Sequence, residues 1–127
     1  MTNRNKVKGD RFEREHRDFC RENGFPAAER TKAGYERDGG DTHLDAVIGM
    51  SPGVISQSKN WAGTNWRAWF ADLAEQVANA RAEVGFLVVK RRGIGDPGQQ
   101  LAVMPVREFL VLLRRAGYGQ PLEEDAA

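Results

Sequence analysis

Residues 41–49 (DTHLDAVIG) and 54–60 (VISQSKN) are strand-like segments flanking Met50-Ser51-Pro52-Gly53, whose Pro-Gly pair is a turn signal. A β-hairpin is the simplest fold for this stretch, and it constrains what the remainder can build. Val47, Ile48, Val54 and Ile55 make the strands apolar enough to sit inside a sheet, yet the same strands carry Asp41, His43, Asp45, Gln57 and Lys59. With the turn centred on Ser51 and Pro52, Asp45 is expected opposite Gln57. Side chains alternate along a strand, so Gln57 and Lys59 share one face, and Asp41, His43 and Asp45 share a face of the neighbouring strand. A carboxylate and an ammonium placed mid-sheet cost free energy unless each has a partner or a metal.

The flanking pattern is mixed. Phe12, His16, Phe19 and Cys20 recur at helical spacing over residues 9–23, with Asp10 as the expected cap and Gly24 as the stop. Residues 27–32 are a short strand candidate. A helix is expected from Thr64 or Asn65 to about residue 82, with Trp66, Trp69, Phe70, Leu73, Val77 and Ala80 as its apolar stripe. Strands are expected over residues 85–90 and 100–104, and a last helix from Pro105 through Arg115 with Gly117 as its stop. The order helix, strand, hairpin, helix, strand, strand, helix predicts an α/β fold in which helices cover a central sheet. One domain over 9–118 is expected, with flexible termini at 1–8 and 119–127.

The polar groups of the hairpin suit one chemistry. Asp45, the Gln57 side-chain carbonyl and a main-chain carbonyl offer the hard oxygens that Mg²⁺ prefers. Lys59 is placed to hold an attacking water and to stabilise negative charge developing on a phosphorane. A metal-bound aspartate beside such a lysine is what phosphodiester hydrolysis needs.

The set Asp45 … Gln57-Ser58-Lys59 resembles the PD-(D/E)XK nuclease superfamily, whose pattern is an acid on the second strand and (E/Q)-x-K on the third. The runs RTKAGYERDGGD, VISQSKN, NWRAWFADLAEQVANARAEVGFLVVKRRGIG and LAVMPVREFLVLLRRAG are similar to archaeal-type and phage-encoded Holliday junction resolvases over residues 9–118. The resemblance implies a restriction-endonuclease-like αβββαβ core and a homodimer that cuts branched DNA with Mg²⁺ or Mn²⁺. It also implies a metal-assisting role for Glu13 in the first helix. Gln57 departs from the usual glutamate, and this Q-x-K form resembles that of Mrr-type restriction endonucleases. Asp41 stands in the Gly-Asp context where resolvase-like members carry their acid, and so enters as a second ligand or an orienting group beside Asp45.

DNA contacts are expected from Lys32, from Lys90, Arg91 and Arg92 in a basic, flexible loop, and from Trp61. Trp66 and Trp69 belong to the helical stripe and are expected to pack. His43 is a metal-ligand or hydrogen-bonding candidate, and Cys20 a small buried hydrophobe. Gly93-Ile94-Gly95-Asp96-Pro97-Gly98 spells GxGxxG, but Pro97 and the strand-like QQLAVM replace the helix a dinucleotide site requires. The formal charge of +1 comes from 19 basic and 18 acidic residues, and setting aside Glu123, Glu124 and Asp125 leaves 19 against 15, a body at +4. That balance permits a polyanion partner.

The apolar run Phe109 to Leu113 covers more helix surface than one core needs, which suggests a homodimer contact. No leader-like or membrane-spanning stretch is seen, and with the single Cys20 a cytoplasmic chain is expected. The expected activity is a structure-selective DNA endonuclease. An Mrr-like enzyme acting on duplex DNA and a catalytically weakened DNA-binding module are the rival classes.

Overall fold

The computed structural model describes residues 4–30, 41–44, 53–60 and 65–123. Helix α1 (Arg4–Glu22) begins six residues before the expected cap, so Asp10 lies inside it. Its stripe of Phe12, His16 and Cys20 is buried, and Gly24 follows at φ +101°, a conformation in which a side chain would be strained. Strands β1 (Glu29–Arg30) and β2 (Asp41–His43) are short, and β3 (Val54–Lys59) carries the Q-x-K residues. Helix α2 (Trp66–Ala80) is capped by Asn65, whose side-chain oxygen accepts from the Ala68 N–H at 3.2 Å. Strand β4 (Val84–Val89), a 3₁₀ turn (Pro97–Gln99), β5 (Leu101–Val103) and α3 (Val106–Arg115) complete the α/β fold.

The strands form one mixed sheet in the order β1-β2-β3-β4-β5. The pairs β1–β2, β2–β3 and β4–β5 are antiparallel, while β3–β4 is parallel. A parallel pair needs a crossover, and α2 supplies it. Strand β3 is therefore interior, with ladders on both sides.

The two faces of β3 meet different helices. Ser56 faces α1, where His16 reaches it, and Val54 and Phe86 pack with Cys20, Ala28 and Leu44. Ile55, Gln57 and Lys59 alternate with these and face α2, where Trp69 and Leu73 bury against Leu87 and Val89. Close seating of α2 depends on Gly85, because a Cβ there would run into the Val77 side chain and stand 3.3 Å from Leu73 and 3.5 Å from Ile55. Trp66, expected in the stripe, is instead 41% exposed at the start of the helix, where it meets Trp69 edge to face and stacks on Phe70.

Helix α3 buries none of its side chains. Its Arg115 is ion-paired with Glu83, and Phe109 and Leu110 on its apolar side are half-exposed. No helix among the described residues is long and apolar enough to cross a membrane.

Candidate active site on strand β3

Interior placement makes the Q-x-K residues physically demanding. Gln57 is 2% exposed, and its side-chain oxygen finds no hydrogen-bond partner among the described residues. A buried amide oxygen left unpaired costs on the order of 1–3 kcal/mol. Two residues on, the Lys59 side chain is 11% exposed. Its ammonium stands 3.9 Å from Asp72 Oδ2 on α2 and 5.8 Å from the centroid of the Trp69 ring. Neither contact is a hydrogen bond, and among the described residues the ammonium makes none. An acceptor and a cation that find no hydrogen-bond partner among the described residues therefore sit on one face of one strand.

The neighbouring strand corrects the expected register. Asp41 pairs with Gln57, Thr42 with Ser56 and His43 with Ile55, and the Leu44 N–H donates to Val54 O at 2.9 Å. The residue opposite Gln57 is thus Asp41 and not Asp45. The hydrogen-bonded residues Leu44 and Val54 are ten positions apart in the sequence, further than a tight turn at Ser51-Pro52 assumes. Asp45 itself lies outside the described residues, as do Lys32 and Trp61.

Glu13 is not on this face. It belongs to α1, which contacts the sheet through Phe12 and His16 on the Ser56 side. A shallow surface depression lined by Phe12, Glu15, His16, Val88, Pro97 and Gln100 lies on that side too.

The basic loop after β4 sits at the end of the sheet where Lys59 ends β3. Lys59 pairs with Val89, and the Lys90 N–H donates to Lys59 O at 3.1 Å. Hydrogen bonds cross-link the loop. The Gln100 amide donates to Ile94 O at 2.8 Å and Asp96 O at 3.3 Å, its oxygen accepts from the Arg91 N–H at 2.6 Å, and Asp96 caps Gly98 N–H at 2.9 Å. The Lys90 ammonium donates to the carbonyls of Arg91 and Ile94. The side chains of Arg91 and Arg92 are exposed, with Arg91 donating to Gln99 O at 3.2 Å. The glycine run leads into a 3₁₀ turn and β5, with no helix after it.

Behind β3, His16 Nε2 and Ser56 Oγ are hydrogen-bonded at 2.8 Å, with Cys20 Sγ 3.7 Å from the same nitrogen. Burial pushes the His16 pKa down to about 4 and the Cys20 thiol up, so the folded protein holds a neutral imidazole and an un-ionised thiol. The unfolded chain, with its histidine near 6.5, binds the extra proton between about pH 6.5 and pH 4. Stability is therefore lost as pH falls through that window and is unaffected by His16 above it. Lowering the pH from 7.5 to 5 is expected to cost about 2 kcal/mol through this group. Urea unfolding at both pH values checks it: the loss should shrink in His16→Gln, and an equal loss in parent and variant would exclude His16 as the source.

Among the described residues no group of three or more His, Cys, Asp and Glu is poised for a metal. The donors that fit a hard divalent cation are the orphaned Gln57 oxygen and Asp41, its register partner. Sequence reasoning missed Asp72, the carboxylate that reaches Lys59. The available signal was its position three residues after Trp69, on the edge of the apolar stripe, where an acid ordinarily reads as solvated. Comparison with family models, with curated proteins and with solved structures yields no match for this chain.

Proposed function

We propose that this chain is a metal-dependent, structure-selective DNA endonuclease, with a Holliday junction resolvase as its most specific form. The observation that carries the reading is the pairing, on an interior strand, of a buried Gln57 oxygen and a Lys59 ammonium that find no hydrogen-bond partner among the described residues, Asp41 standing opposite Gln57 in the ladder. A solvated structural hairpin would place neither group inside a sheet. The order α1-β1-β2-β3-α2-β4 is also the αβββαβ order that the resemblance implies.

In this reading Asp41 and the Gln57 carbonyl hold Mg²⁺ or Mn²⁺, which when bound polarises a phosphoryl oxygen. Lys59 donates to the attacking water or to a phosphate oxygen, aided by its partly desolvated position. Arg91 and Arg92, exposed beside the end of β3, bind backbone phosphate, so recognition is of shape and charge. The neutral Gln57 favours a second reading, an Mrr-like enzyme that cuts linear duplex.

A panel of four-way, flap and linear DNAs incubated with the pure protein and Mg²⁺ or Mn²⁺ tests both. Cutting of the four-way substrate is expected to exceed that of linear duplex by about tenfold or more, on the order of the 1.4 kcal/mol that a tenfold preference represents. Preferential cutting of linear duplex would favour the second reading. Binding with no cutting under any metal would leave a DNA-binding module.

A further inference from the structure

Lys59 does not rest freely on its strand. Its ammonium lies against α2, where Trp69 and Asp72, three residues apart on one helix face, both approach it. The two partners differ in kind. Trp69 is 7% exposed and fixed in the core with Leu73, Leu87 and Val89, so its ring is a rigid wall. Asp72 is 58% exposed and meets the ammonium at 3.9 Å, close enough to attract it and too far to take one of its hydrogens. A tight pair would occupy the donors a substrate oxygen needs, whereas no carboxylate at all would leave a mostly buried cation with only a ring for company.

We infer that Asp72 is a positioning residue for Lys59: it holds the ammonium against the Trp69 ring, aimed over the Gln57 face, and yields it when a phosphate oxygen arrives. This rests on the nuclease reading for its catalytic consequence, but the placement of Lys59 can be measured without it. Mild acetylation of the folded protein with acetic anhydride, followed by peptide mass spectrometry, reports how accessible the Lys59 amine is relative to the other lysines.

Asp72→Asn is expected to raise Lys59 acetylation about threefold or more, an order-of-magnitude expectation for losing a charge at this distance, and Asp72→Glu to restore protection. In cleavage of four-way DNA with Mg²⁺, Asp72→Asn should lower kcat by about tenfold with KM nearly unchanged, again with recovery in Asp72→Glu. Because Asp72 is largely exposed, thermal unfolding of the variants should stay close to that of the parent, which separates positioning from loss of fold. Unchanged Lys59 acetylation in Asp72→Asn, or a change confined to KM, would overturn the assignment. If the parent cuts no DNA, the nuclease reading fails alone, and acetylation still decides whether Asp72 places Lys59.

Discussion

Lys59→Ala is expected to bind four-way DNA with an affinity close to the parent's and to lose cutting by about 10²–10³-fold, the scale on which removal of one pre-placed donor to a developing oxyanion is felt. Binding survives because most of the attraction to a polyanion comes from several exposed cations, Arg91 and Arg92 among them, and one buried ammonium adds little to it. Cutting fails because water in the space left by the side chain cannot reproduce a cation held between Trp69 and Asp72. Gel-shift titration in parallel with single-turnover cleavage provides the check. Equal cutting by parent and variant would remove Lys59 from the site, and equal losses in binding and cutting would make it an ordinary phosphate contact.

Asp41→Asn is expected to cost cutting by about 10²-fold or more through loss of a charged metal ligand, and to cost more than Asp45→Asn. The ladder decides the ranking: Asp41 pairs with Gln57, whose buried oxygen finds no hydrogen-bond partner among the described residues. A charge on one side of the metal matters more when the other donor is a neutral amide, since no second carboxylate compensates. Cleavage rates titrated against Mg²⁺ and Mn²⁺ should show the Asp41 variant needing more metal. A larger defect in Asp45→Asn would mean that the acid comes from beyond the described part of β2 and would return Gln57 to a structural role.

Why the register was misread while the face was read correctly follows from the period of a strand. The observed pairing slips four residues from the expected one, and an even slip leaves every side chain on its original face. Hydrophobic alternation therefore could not detect it, because alternation reports parity and not position. Pro52-Gly53 marks a place where the chain turns, but a turn signal does not state how many residues the connection uses. Asp41 and His43 have the same parity, and the ladder, with Asp41 opposite Gln57 and Leu44 bonded to Val54, chooses between them.

Other features were legible in proportion to their locality. The Trp69–Leu73 stripe, the Asn65 cap and the glycine after α3 act within a turn or two of chain, and each can be read from neighbours in the sequence. The side of the sheet that α1 covers is a tertiary choice, so its stripe told which helix face is buried without telling that Glu13 would stand away from Gln57. The hydrogen bond from Lys90 to the carbonyl of Ile94, brought back by a loop that Gln100 closes, is another contact that local sequence could not announce. Asp72 is a similar case, an acid that looked like plain helix surface until the crossover carried it over Lys59.

Gly85 gives α2 the mechanics of a lever. The absent side chain lets the C-terminal half of the helix, through Val77 and Leu73, sink onto β3 and β4. With that end bedded down, the N-terminal half carries Trp69 and Asp72 out to the tip of β3. A methyl group at position 85 would act as a shim under the fulcrum, and the displacement would be read at the far end of the helix, in the gap between a carboxylate and an ammonium. The width of the candidate site is thus set by a residue that has no chemistry of its own and stands well away from it in the chain.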